Sequence, residues 1–107
     1  MIVNSNSRGG TTMYGSVAEF SVKPGHEDDV VGLFSNNDRT PEGAIAIFVL
    51  RPDAGGNWLA VAVFESQEAY VANAELPEQH EVFLGLMEHL ESEPTWTDGH
   101  YVVGDIM

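Results

Sequence analysis

The sequence predicts an α+β fold, a ferredoxin-like βαββαβ sandwich in which helices cover one face of a four-stranded antiparallel sheet. Three observations carry this expectation. Along the 107 residues the hydrophobic pattern alternates at period two, turns helical, gives two continuous β-rich runs, turns helical again and ends strand-like. The two central runs, Ala44 to Leu50 and Trp58 to Phe64, are joined by Arg51-Pro52-Asp53-Ala54-Gly55-Gly56-Asn57, turn residues that return one strand beside the other as a hairpin. The length suits a single hydrophobic core and is too short for two.

Each element has its own signal. Residues 1–13 include a Ser/Asn/Gly-rich stretch without periodicity and read as a flexible arm, leaving residues 14–107 as the domain. In strand one, Tyr14, Ser16, Ala18, Phe20 and Val22 alternate with the residues between them until Lys23-Pro24-Gly25. Helix one opens with His26, Glu27, Asp28 and Asp29, acids suited to a first turn, and continues through Val30, Val31, Leu33 and Phe34. After the hairpin, Ser66 is placed to cap a helix that Leu76-Pro77 interrupts. Pro77 then occupies a first turn, where a missing amide is tolerated. The segment it starts carries Phe83, Leu86, Met87 and Leu90 as an apolar stripe up to Glu93-Pro94. Strand four is expected from about Trp96 to Val103, centred on His100-Tyr101-Val102-Val103.

Strands two and three are apolar on both of their faces, which helices on one side of a sheet cannot hide from water. A second copy packed sheet on sheet covers the remaining face, so a homodimer is expected. Composition narrows the partners. Seventeen acids against four bases give a net charge of −13, a field that repels phosphate backbones and anionic lipid heads and argues for no nucleic acid and no membrane. Nowhere do eighteen apolar residues follow one another, and the polar start lacks the basic and apolar regions of a secretory signal, so a cytoplasmic location is expected. Without cysteine there are no disulfides, thiolate metal sites or cysteine nucleophiles.

Three segments together resemble the antibiotic biosynthesis monooxygenase family: Phe20-Ser21-Val22-Lys23-Pro24-Gly25-His26-Glu27, Pro41-Glu42-Gly43, and Phe64-Glu65-Ser66-Gln67-Glu68-Ala69-Tyr70 followed by a proline and His80. The resemblance spans residues 14–103. It implies a dimeric α+β barrel and a group that includes quinol monooxygenases, cofactor-free anthrone oxygenases and relatives of haem-degrading enzymes. Where haem-degrading members carry Asn, Trp and His, this chain has Ala18, Phe64 and Asn73, so the resemblance points away from haem. Tyr70, six residues after Phe64, stands where cofactor-free members often place a phenol.

The candidate catalytic residues are His80 and Tyr70. Helical spacing puts His80 with Phe83, Leu84 and Met87 on the face expected to look inward, where a neutral imidazole can take a phenolic proton; the plainer alternative is a first-turn histidine bonded to nearby backbone. Tyr70 can hydrogen-bond a planar phenolic ligand, or serve as core with its hydroxyl at the edge. Asn73, on the same helical face, can hold a carbonyl oxygen or cap its helix locally. Trp58 and Phe64 can wall a flat substrate or simply pack. Glu19 points opposite Phe20, toward the dimer face, as a desolvated base or as a partner of Arg51.

His26 reads as a solvated neighbour of acids, His89 as lying away from the apolar stripe, and His100 as a residue of the cavity mouth. No His-x-His, His-Glu-x-x-His or calcium-loop spacing occurs, so no metal is expected unless distant segments assemble a site. The functional expectation is a monooxygenase without a cofactor, acting on a small aromatic ligand such as a quinol, phenol or anthrone. The alternative is a non-catalytic small-molecule-binding or structural dimer on the same fold.

Overall fold

The computed structural model describes residues 12–35 and 40–107, so most of the expected arm lies outside the described residues. The element order is β1 (Tyr14–Phe20), α1 (Glu27–Ser35), β2 (Ala44–Leu50), β3 (Trp58–Phe64), α2 (Gln67–Ala74), α3 (Pro77–Met87) and β4 (Thr95–His100). The four strands form one sheet in the order β2-β3-β1-β4, with every neighbouring pair antiparallel. This is the ferredoxin-like α+β arrangement that the periodicities predict.

Helix starts follow the expected chemistry. Glu27, Asp28 and Asp29 occupy the first turn of α1, where the helix dipole favours anions. The Ser66 hydroxyl accepts from the Ala69 amide at 3.1 Å as the cap of α2, and Pro77 opens α3. The turn at Pro41-Glu42-Gly43 depends on glycine, because Gly43 has φ 80°, a conformation that side chains rarely adopt. Its carbonyl then accepts from the Glu65 amide at 2.8 Å, closing the open end of the β2–β3 hairpin.

Ends of elements differ from expectation in three places. Strand β1 stops at Phe20; two residues on, Val22 forms an isolated bridge with Leu90, and the Ser21 carbonyl accepts from the Glu91 amide at 2.9 Å. That docking also ends α3 at Met87, short of Glu93, because Leu90 is drawn into the core beside β1. Strand β4 begins at Thr95 and stops at His100, so Tyr101, Val102 and Val103 are not strand. The chain turns off there because the Tyr101 hydroxyl donates to the Ala62 carbonyl at 2.7 Å while its amide donates to the Met13 carbonyl at 2.9 Å. Val102 and Val103 are left exposed.

Register divides the sheet into two faces. Directly opposed residues share a face, so the helix side carries Tyr14, Ser16, Ala18 and Phe20 of β1, with Phe64, Ala62, Ala60 and Trp58 opposite them. The dry core occupies the Phe20 end, where Phe20, Val30, Trp58, Leu86 and Leu90 pack together. The outer face carries Phe48 and Leu50 of β2, Leu59, Val61 and Val63 of β3, and Val17 of β1. Phe48 is 61% and Leu50 56% exposed, so the both-face apolarity seen in the sequence is real in the fold and one face has no cover among the described residues.

One glycine sets how closely the central strands approach. At Gly15 a β-carbon would fall 1.8 Å from the Ala62 carbonyl oxygen and 3.2 Å from Tyr101 Cε2. Gly15→Ala is therefore expected to lower unfolding free energy in urea by about 2 kcal/mol or more, while Gly85→Ala, whose β-carbon meets nothing, gains roughly 0.5–1 kcal/mol. A neutral Gly15→Ala variant would contradict the packing.

Candidate functional site

At the Tyr14 end of the helix face the core gives way to aromatic and polar groups. Tyr70, half-buried on α2, lies over the first residues of β1: its ring centroid is 5.3 Å from that of Tyr14 and 5.6 Å from that of Phe64, the latter edge-on. Its hydroxyl donates to Asp98 Oδ1 at 3.2 Å. Asp98 opposes Ser16, and His100 opposes Tyr14, so both β4 residues are on the helix side of the sheet. The His100 ring stands edge-on to Tyr14 at 4.8 Å. Ser16 is buried beneath this group.

The phenol of Tyr70 is held in its neutral form. Burial pushes its pKa up from the ordinary tyrosine value, the Ser16 hydroxyl opposes the rise, and the Asp98 carboxylate adds to it by charge and by accepting the phenol's hydrogen bond. Tyr101 is also raised, through burial first and then through Tyr70. A neutral phenol beside a carboxylate is a hydrogen-bond donor and a poor base near neutral pH.

Of the residues expected in the site, Tyr70 and Phe64 come together. Trp58 shares their face of the sheet but sits at the other end of β3, six residues and about 20 Å away, so it cannot touch the same small ligand as Phe64. Trp58 instead lines an apolar cleft of about 270 Å³ with Val31, Phe34, Ile47 and Val49, and the Arg51 guanidinium lies 5.5 Å from its ring centroid. Asn73 is half-buried and its side-chain amide donates to Gln79 Oε1 at 3.3 Å, joining α2 to α3. Glu19 faces outward as expected, exposed, and accepts from the Asn57 side chain at 2.9 Å; it forms no described ion pair with Arg51.

His80 is exposed. The row of α3 that turns inward is Gln79, Phe83 and Leu86, continuing to Leu90, and His80 lies about 100° around the helix from Gln79. Leu84, expected beside it on the inner face, is 50% exposed. Among the described residues, no side-chain hydrogen bond or ring contact joins His80 to Tyr70. Tyr14, Ser16 and Asp98 were not among the expected site residues; the signal for them was the period-two face they share with Phe20 and Trp96.

The antibiotic biosynthesis monooxygenase model matches residues 13–83, which include β1, the hairpin and Tyr70. The chain belongs to the antibiotic biosynthesis monooxygenase family. Solved structures agree on the fold. A conserved protein from Methanosarcina mazei superposes with a TM-score of 0.73 at 17% identity over 85% of this chain and 94% of that one. Proteins from Chloroflexus aurantiacus and Bordetella bronchiseptica, both provisionally assigned to the same family, give 0.72 at 17% identity and 0.73 at 15% identity, covering 87% of this chain in each case and 96% and 100% of theirs. A search of curated proteins finds no match to the chain.

The raised phenols give a pH signature. Their folded-state pKa values exceed the unfolded ones, so their contribution to stability is complete below about pH 10 and is lost as pH rises through the folded values. In an ultraviolet tyrosinate titration, Tyr70→Phe and Tyr101→Phe should each remove amplitude from the late part of the curve. Amplitude lost at the ordinary tyrosine value instead would contradict the burial argument.

Proposed function

We propose that this protein is a cytoplasmic monooxygenase of small, electron-rich aromatics, a quinol, phenol or anthrone-like compound, and that it uses no bound cofactor. The observation that carries this reading is the Tyr70–Asp98 hydrogen bond within the aromatic group of Tyr14, Phe64 and His100, in a chain of a monooxygenase family. A flat substrate packs against the rings, and the neutral Tyr70 phenol turns its one proton from Asp98 to the substrate's oxygen. His100, exposed at the mouth and on the same face as Asp98, takes the substrate's proton.

Once deprotonated, such a substrate passes an electron to dioxygen itself. For an activated methylene the balance is simple: both hydrogens leave the carbon, one oxygen atom of dioxygen becomes the new carbonyl, and the other departs as water with those hydrogens. The protein's share is to bind, deprotonate and keep bulk water away. The Trp58 cleft serves this chemistry less well, because Arg51 is the one ionisable group among its described lining residues and it cannot act as a base near neutral pH.

The working unit in this reading is a homodimer formed through the outer sheet face, burying more than about 1,000 Å². What supports it is the exposed row of Phe48, Leu50 and Val17 in a family of dimeric barrels. A second reading, a binding or structural dimer without turnover, is favoured by the exposure of His80 and by the engagement of the Tyr70 hydroxyl with Asp98.

Oxygen uptake across a panel of anthrones, phenols and quinols separates the two readings. We expect uptake with at least one of them, a loss of about 100-fold in His100→Ala, and a smaller loss in Tyr70→Phe, which removes one hydrogen bond. Tight binding with no uptake establishes the second reading, and a loss confined to His80→Ala would return the base to α3. Light scattering at micromolar concentration should report twice the chain mass, and Phe48→Asp should report the single-chain mass; a monomeric parent would contradict the dimer.

A further inference from the structure

At the opposite end of the sheet from Tyr70, two distant segments bring together three groups that the reaction above does not use. His26 precedes α1, Asp29 lies in its first turn, and His89 follows α3. The His26 and His89 Nδ1 atoms are 2.9 Å apart, and Asp29 Oδ2 is 3.8 Å from the first and 3.7 Å from the second. We propose that His26, His89 and Asp29 form a binding site for a borderline divalent cation of the zinc type.

Geometry is the main argument. A triangle with edges of 2.9, 3.7 and 3.8 Å has a circumradius of about 2.0 Å, so one point lies at ordinary zinc–nitrogen and zinc–oxygen distance from all three donors. A cation slightly out of that plane leaves a fourth, solvent-side position for water. Two imidazoles and one carboxylate suit zinc and its neighbours in the first transition row and suit magnesium or calcium poorly.

The donors are also preset. The His26 amide donates to the Lys23 carbonyl at 2.9 Å, closing a tight turn that carries His26, and the Lys23 amide donates to the His89 carbonyl at 2.9 Å, holding the second histidine against that turn. Beside it, the Val22–Leu90 bridge and the Glu91 amide on the Ser21 carbonyl clamp the strap to β1. Val30, one residue beyond Asp29, is fully buried and its amide donates to the His26 carbonyl at 3.1 Å. Lys23, the cation of this turn, is turned away, its Nζ donating to the Glu88 carbonyl at 3.0 Å.

The two Nδ1 atoms face each other at hydrogen-bond distance, with donor and acceptor set by the tautomers, and a bound cation takes the place between them while each ring keeps Nε2 for its proton. The side chains of His89, His26 and Asp29 are 23%, 39% and 57% exposed, which gives the cation a route in and lets substitutions be made without opening the core. A net charge of −13 concentrates cations near the surface without selecting a site, so the test has to be residue-specific.

Calorimetry with zinc chloride and visible absorption with cobalt(II) test the proposal on metal-stripped protein. We expect one cation per chain, a cobalt band of four-coordinate type, a higher melting temperature with zinc and no displacement by excess magnesium. His26→Ala and His89→Ala should each weaken binding by at least about 10-fold, Asp29→Asn should weaken it by a similar factor, and Glu78→Gln on α3 should leave it unchanged. Zinc binding that survives both histidine substitutions, or no binding by the parent, would overturn the proposal and leave a histidine–histidine hydrogen bond only. Melting curves of the variants without metal check that each is folded.

Discussion

The antiparallel pairing of β1 with β3 on one side and β4 on the other is the arrangement on which the rest of the molecule depends. β1 is the first strand in sequence yet lies inside the sheet, so its alternation is read out on both faces at once. On the helix side, small residues in the middle, Ser16 and Ala18, let helices approach, and aromatic residues at the ends, Tyr14 and Phe20, start two different environments. The Phe20 end closes into a dry core with Trp58, Val30 and Leu90. The Tyr14 end stays partly open, and there Tyr70, Asp98 and His100 meet. On the outer side the same strand contributes Val17 to an apolar surface that no helix among the described residues covers.

Much of this was legible in the sequence because strand alternation and helix capping are local. The limits of β2 and β3, the Ser66 cap and the Pro77 restart depend on neighbours a few residues away, and all occur as expected. Endings set by tertiary contact were not legible. Helix α3 stops at Met87 because Leu90 docks on Val22, sixty-eight positions earlier, and β4 stops at His100 because Tyr101 bonds across the sheet to Ala62. His80 shows the limit of helical periodicity: Phe83, Leu86 and Leu90 all belong to the stripe, but the stripe's centre falls on the Gln79 side, so a histidine one step away is exposed. His100 was legible as a mouth residue from its place at strand four, whereas Asp98 was not: period two puts it on one face with Trp96, but which face looks toward the helices is set by the pairing of β4 with β1.

Electrostatics divides the molecule the same way. The phenol of Tyr70 keeps its proton because it is partly buried and faces a carboxylate, and that makes it a donor to an oxygen atom bearing charge. At the far end of β1, roughly 20 Å away, His26, Asp29 and His89 gather around one point beside the helix α1 start. Neither group interrupts the core between them, which is apolar throughout its described members.

The central claim is that the Tyr14 end of the helix face, and not the Trp58 cleft, receives the aromatic ligand. Two-dimensional NMR of the labelled protein, titrated with a flat phenol such as a substituted anthrone, tests it most directly. The account predicts shifts concentrated on Tyr14, Ser16, Tyr70, Asp98 and His100. Shifts concentrated on Val31, Phe34, Ile47 and Trp58, with the Tyr70 group unmoved, would contradict it.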